Sequence, residues 1–224
     1  GRGDGAARTD KKRAREAIHA AGLSFPLVAK PDIGWRGFGV QRFADEAGLD
    51  RYIDLYPDEV TILFQRLVEW EGECGVLYIR HPDEAEGHIF SLTFRYFPHV
   101  VGDGTSSLHD LIIHDERTLW KIGAHLGLNS THAGATETRF AQIPAAGEIV
   151  RLSFIGSNRV GGLYRDARAH ITPALTRRFD EISRSMPDFY FGRFDARFST
   201  VERLEEGEGF QIIEINGAGG ESIN

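Results

Sequence analysis

Two short stretches near the end of the chain constrain it most: Phe191-Gly192-Arg193-Phe194-Asp195-Ala196-Arg197 and Gln211-Ile212-Ile213-Glu214-Ile215-Asn216-Gly217. Each has the apolar alternation of a β-strand, yet each carries polar groups that a strand buried on both faces does not accept. Successive side chains of a strand point to opposite faces, so Arg193, Asp195 and Arg197 share one face of the first stretch. Glu214 and Asn216 share a face of the second, while Ile213 and Ile215 take the other. Two chemistries suit such a pair of neighbouring strands. One is an all-oxygen cation site built from Asp195, Glu214 and Asn216, hard donors of the kind that hold Mg2+. The other is a salt bridge in which Arg193 or Arg197 neutralises Asp195 or Glu214. These residues alone leave both open.

The rest of the composition narrows the field. A chain of 224 residues, 41% hydrophobic and 26% charged, can bury a core as one domain or two small ones. A net charge of -7 argues against a nucleic-acid backbone as the main partner. No apolar run approaches the roughly 20 residues that span a bilayer, and no signal peptide is visible, so no membrane partner is expected. Cys74 has no second cysteine to pair with, which fits a reducing, cytoplasmic setting. Met186 is the sole methionine, and the chain stops in a polar, glycine-rich segment. Both features suggest a piece of a longer protein whose N-terminal domain and C-terminal end are missing.

In chain order, Thr9 or Asp10 can cap a helix through Ile18 that Gly22 ends. Phe25 to Pro31 reads as a short strand, and Val40 to Phe43 as its return after a glycine-rich turn. A helix is expected over Asp45 to Tyr56, and strands over Val60 to Val68, Gly75 to Ile79 and Ile89 to Tyr96. Pro98 to Gly104 reads as loop, Ser106 to Ile113 and Glu116 to Leu126 as two amphipathic helices, and Ala133 to Arg139 as loop again. A strand over Glu148 to Ile155 and a helix over Thr172 to Met186, with Pro173 in its first turn, complete the pattern. The expected class is α+β, built mainly on antiparallel sheets, with residues 1-66 as a smaller lobe and 67-224 as a larger one.

The lysines are Lys11, Lys12, Lys30 and Lys121 in a chain that otherwise uses arginine. Lys30 closes an apolar strand four residues before Gly34-Trp35-Arg36-Gly37-Phe38-Gly39. A lysine there can meet phosphate oxygens, and glycine backbone amides can approach them closely. An ordinary hairpin turn with an exposed lysine is the competing interpretation. The strand over Val60 to Val68 runs into Glu69, Glu71 and Glu73. Backbone leaving such a strand can pair with an adenine edge and a carboxylate beyond it can accept ribose hydroxyls, although a solvated acidic turn has the same composition.

Taken in order, these pieces resemble the ATP-grasp superfamily, in particular carboxylate-amine ligases such as D-alanine–D-alanine ligase and the cyanophycin-synthetase group. The resemblance rests on Pro26-Leu-Val-Ala-Lys30-Pro, the loop Gly34 to Gly39, the hinge Gln65 to Glu73, Gly192-Arg-Phe-Asp195 and Glu214-Ile-Asn216-Gly. Arg95 to Gly104 and Asn158 with Gly161-Gly162 are similar to segments of the cyanophycin group. The resemblance implies a fold of two α+β lobes with mainly antiparallel sheets holding ATP between them. It implies that Lys30 and Gly37 contact the phosphates under a glycine-rich lid, and that Gln65, Arg66, Leu67 and Val68 hold adenine. It implies Glu73 on the ribose, with Glu71 competing for that role. Asp195, Glu214 and Asn216 would bind Mg2+, Arg193 would face the transferring phosphoryl group, and Gly217 to Gly220 would offer amides to the oxyanion. Arg95, Asp103 and Asn158 are placed near phosphate or substrate. The implied reaction joins a small-molecule carboxylate to an amine, an amino acid or peptide, through an acyl phosphate. A kinase that stops at phosphoryl transfer and a non-catalytic nucleotide-binding module are the alternatives, and a homodimer is left open.

Overall fold

The structure, a computed structural model, describes residues 4–32, 39–55, 60–125 and 139–217. The chain divides into two compact units, Gly1–Glu69 and Trp70–Asn224. It is an α+β protein, and among the described residues the paired strands all run antiparallel.

The first unit contains α1 (Asp4–Ala20), β1 (Leu27–Pro31), β2 (Gln41–Phe43), α2 (Glu46–Ile53) and β3 (Ile62–Arg66). Its three-stranded sheet has the order β2-β1-β3. Leu27 and Ala29 alternate onto the face that packs with Ile18 of α1 and with Leu49, Tyr52 and Ile53 of α2. Asp45 caps α2 by accepting from the Gly48 amide, and the Tyr52 hydroxyl donates to the Gly39 carbonyl at 2.8 Å. Gly22, at φ +63°, ends α1 in the left-handed conformation that glycine adopts without strain. α1 starts earlier than a Thr9 or Asp10 cap would give; its first residue is Asp4.

The second unit is organised on a five-stranded sheet of order β10-β9-β4-β5-β8. These strands are β4 (Gly72–Ile79), β5 (His88–Tyr96), β8 (Leu163–Asp166), β9 (Phe191–Phe198) and β10 (Phe210–Asn216). One face packs under the helix α6 (Pro173–Arg184), where Leu175 and Phe179 meet Val76, Phe94, Phe194 and Phe198. Phe179 is fully buried, stacked on Phe210 at 4.9 Å and edge-on to Phe194 at 5.3 Å. Burying one such ring stabilises the fold by about 1.5–3 kcal/mol. Thr172 caps α6 through the Leu175 amide, and Pro173 sits in its first turn, as its missing N–H permits.

A second, smaller core joins α3 (Leu108–His114) to the two-stranded pair β6 (His99–Val101) and β7 (Ile149–Arg151), through Val100, Leu108 and Ile112. Here the structure departs from the sequence pattern. His99–Val101, expected as loop, pairs with β7, and the strand expected to Ile155 stops at Arg151. The reason is local: Arg151 donates to the Ser153 and Phe154 carbonyls, which removes them from any ladder. The helix expected over Glu116 to Leu126 is broken into α4 (Glu116–Leu119) and α5 (Ile122–His125). Neither β8 nor α7 (Val201–Glu205) was anticipated.

Candidate functional site

The register of β9 and β10 decides which side chains can meet. Phe210 pairs with Phe198 and Ile212 with Ala196, so this half of β10 faces the core. Unbroken alternation would then set Glu214 opposite Phe194, on that same apolar face. Instead the register shifts between Ile212 and Glu214, and Glu214 pairs with Asp195, Ile215 with Phe194 and Asn216 with Arg193. One extra residue at Ile213 flips the remainder of the strand. Glu214 and Asn216 therefore share the sheet face of Asp195 and Arg193, opposite α6.

That face also carries a buried ion network. Asp195 Oδ1 accepts from Arg95 Nη2 at 2.6 Å and from Arg193 Nε at 2.9 Å. Among the described residues no hydrogen bond or ion pair reaches its Oδ2. Arg95 Nη1 lies 3.4 Å from Glu73 Oε1, and Arg197 Nε lies 3.0 Å from Glu73 Oε2. Arg197 then donates to the carbonyls of Trp70 and Phe154 at 2.9 and 2.7 Å. Burial pushes the Glu73 carboxyl above its ordinary range, against the pull of Arg197 and Arg95. For Arg95 burial works in the other direction, but the carboxylates of Asp195 and Glu73 outweigh it and hold the guanidinium firmly charged.

These positions revise several expectations. Glu73, expected on the ribose, is not at an exposed hinge: it is 4% exposed and both its oxygens face arginines. Glu71 is the exposed carboxylate there, and it pairs with Arg151 at 2.9 Å. Arg197 is a salt-bridge partner, of Glu73 rather than of Asp195 or Glu214. Arg95 sits inside the network. Asp103 closes its own turn on the Thr105 and Ser106 amides and the Ser106 hydroxyl, which holds its carboxyl well below the usual range. Asn158 is exposed at the start of a single 3-10 turn. Cys74 is buried in the core, and burial raises its thiol pKa, as expected of a packing residue rather than a nucleophile.

In the first unit, Lys30 pairs with Leu63 and Val28 with Gln65, so Lys30 and Gln65 share the sheet face opposite the core. Arg66 pairs with Leu27 on the other face, and Leu67 follows the strand with its amide directed to the Pro26 carbonyl. Val68 lies beyond the ladder. Gly37, with the rest of the glycine loop from 33 to 38, lies outside the described residues, as does Gly220.

The residues fit a divalent cation on chemical grounds. Glu214 is exposed and Asp195 keeps one oxygen unengaged. Asn216 Nδ2 is buried with no hydrogen-bond partner among the described residues. Turning that amide over would set its oxygen in the same orphaned position, where a cation satisfies it. No three His, Cys, Asp or Glu side chains among the described residues form a metal group, and this set has two carboxylates and an amide. The sequence pattern gave no role to Gly75 or Gly156. A Cβ on Gly75 would stand 3.2 Å from Arg95 Nη2, and one on Gly156 would stand 2.7 Å from Glu73 Oε1. Glycine opposite a charged network was the available signal.

No helix among the described residues is long and apolar enough to cross a membrane. No family model and no curated protein matches the chain. Among solved structures, the chain is similar to a bifunctional glutathione synthetase from Pasteurella multocida, at 15% identity and a TM-score of 0.41. The match covers 90% of this chain and 28% of the synthetase, so the chain spans little more than a quarter of that protein's length. A likeness of this size carries no argument about activity.

Proposed function

We propose that this chain carries the nucleotide and Mg2+ site of an ATP-grasp ligase that joins a carboxylate to an amine through an acyl phosphate. The observation that carries the proposal is the register shift at Ile213, which turns Glu214 and Asn216 onto the face of Asp195 and Arg193. A bulge that re-aims two polar side chains from a core face to a charged one is a feature of functional strands. The order of the motifs along the chain is the second support.

In this proposal Asp195, Glu214 and Asn216 hold Mg2+, whose charge offsets that of the phosphate oxygens when two anions are brought together. Arg193, fixed by its Nε to Asp195, sets its guanidinium beside the same carboxylate, where it can bind the transferring phosphoryl group. Lys30 binds phosphate oxygens as a compact point charge, and the backbone over Gln65 to Val68 takes the adenine edge. The ribose falls to Glu71, whose exposed side chain pairs with Arg151 through Oε2 alone, whereas both oxygens of the buried Glu73 are engaged. The substrate carboxylate attacks the γ-phosphorus, the bond to the β-phosphate oxygen breaks, and ADP leaves. The amine nitrogen then attacks the acyl carbon, phosphate departs, and the nitrogen loses a proton.

The test is ADP release from the full-length protein in Mg-ATP, scanned over pairs of amino acids and dipeptides. Turnover is expected only when an acid and an amine are both present, and Asp195→Asn is expected to abolish it while the protein stays folded. ADP formed with a hydroxyl substrate alone would replace the ligase by a kinase. Nucleotide binding that ignores both Mg2+ and Asp195→Asn would leave a non-catalytic module.

A further inference from the structure

Arg95 stands on β5 and Asp195 on β9, with β4 between them. Two ladder spacings are about 10 Å, a span that only a long side chain crosses. It crosses over Gly75, the β4 residue paired with Asp195 on one side and Thr93 on the other. A methyl group at Gly75 would crowd Arg95 Nη2 at 3.2 Å and would meet Arg193 Cδ at 3.4 Å and Asp195 Oδ1 at 3.6 Å in ordinary contact. The glycine is thus the gap through which the arginine reaches.

The far end of Arg95 is anchored in turn. Its contact to Glu73 at 3.4 Å is long for a hydrogen bond, so Glu73 acts there mainly as a counter-charge. Glu73 is fixed by Arg197, and Arg197 by the Trp70 and Phe154 carbonyls. The backbone at Gly156 closes directly over Glu73 Oε1.

Resting on the Mg2+ site proposed above, we infer that Arg95 is a positioning residue: reaching through the Gly75 gap, it holds Asp195 by Oδ1 and leaves Oδ2 as the oxygen for the cation. Arg193 bonds the same Oδ1, so two guanidiniums share one oxygen and neither engages the other. The planar fork of arginine matters, because one nitrogen serves Asp195 while the second faces Glu73. A lysine keeps the charge and loses the fork. Outer partners of this kind typically change metal affinity by about 10–100-fold.

The test uses the full-length protein with Mn2+ as probe and a non-hydrolysable ATP analogue present, free Mn2+ being read by electron paramagnetic resonance. Arg95→Lys and Gly75→Ala both preserve the charge count, and thermal melts on the same samples establish that each is folded. Both are expected to weaken Mn2+ binding about tenfold, while Arg197→Met lowers stability with less than a threefold change in Mn2+ affinity. Asp195→Asn separates the two proposals. If it leaves Mn2+ binding unchanged, the metal site itself is wrong and this inference falls with it. If it abolishes binding while Arg95→Lys and Gly75→Ala stay within twofold of the parent, or bind more tightly, the positioning role is refuted and the metal site stands.

Discussion

Replacing Glu73 by glutamine distinguishes a structural carboxylate from a nucleotide contact. The side chain is 4% exposed, its partner Arg197 is buried beside it, and the side chain of Arg95 is 9% exposed. Three guanidiniums and two carboxylates make up the network, a surplus of one positive charge that the substitution raises to two. Removing one partner of a buried ion pair costs about 3–5 kcal/mol. The Glu73 carboxyl is already pushed up by burial, so its neutral form is less disfavoured than that of a surface pair. Glutamine also keeps the shape and one acceptor. The lower end, about 3 kcal/mol, is therefore the expected loss. With a urea dependence of about 2 kcal/mol per M, the midpoint falls by about 1.5 M. Tryptophan fluorescence is the assay, since the carbonyl of Trp70 accepts from Arg197 and this residue reports locally. In a double-mutant cycle with Arg197→Met, the coupling is expected to exceed about 1 kcal/mol. A loss below about 1 kcal/mol, the value of an exposed pair, together with a large rise in nucleotide KM, would refute the reasoning and return Glu73 to the ribose.

Three further outcomes follow from packing and burial. Tyr78→Phe deletes a 2.6 Å hydrogen bond to the buried Asp180 and is expected to cost about 1.5–3 kcal/mol by urea titration; burial and then the Asp180 contact push the phenol up to about 12, so the parent bond persists at alkaline pH. Phe179→Ala opens a cavity between Phe194 and Phe210 and is expected to cost about 3–5 kcal/mol in the same experiment. His125 is buried with both ring nitrogens unsatisfied among the described residues, and burial lowers its pKa against a weaker pull from Asp115. The folded state takes up that proton less readily, so stability present above the ordinary value of 6.5 is lost as pH falls through the lowered folded value. Melting temperatures between pH 7 and 5 are expected to show a shallower slope in His125→Phe than in the parent.

Period-two alternation was enough to find β9 and β10, and the Thr172-Pro173 pair was enough to find the start of α6, because these signals lie within a few residues of one another. It also set Glu214 and Asn216 on a common face. Local pattern cannot supply the partner of a buried charge that comes from a distant strand. Glu73 looked like the end of an acidic turn because Glu69 and Glu71 precede it, whereas Arg95 and Arg197, which define its role, approach from β5 and β9. The same limit hid β6, whose three-residue run carries too little alternation to separate from loop, and the early end of β7, where a side chain claims the carbonyls of the next turn.

The shift at Ile213 shows how one strand can serve both a core and a charged site. Phe210 and Ile212 contribute to the packing beneath α6, and two residues later Glu214 must not. A carboxylate set opposite Phe194 would take the place of Ile215, which is 44% exposed on the apolar face, at a partial desolvation cost, and would be turned away from Asp195. Ending β10 at Ile212 would avoid that cost but leave Glu214 and Asn216 on a loop, less firmly held relative to Asp195. Inserting a single residue retains both requirements. The ladder to β9 continues through Asn216, and both polar side chains are placed by strand geometry beside a carboxylate that two arginines already fix.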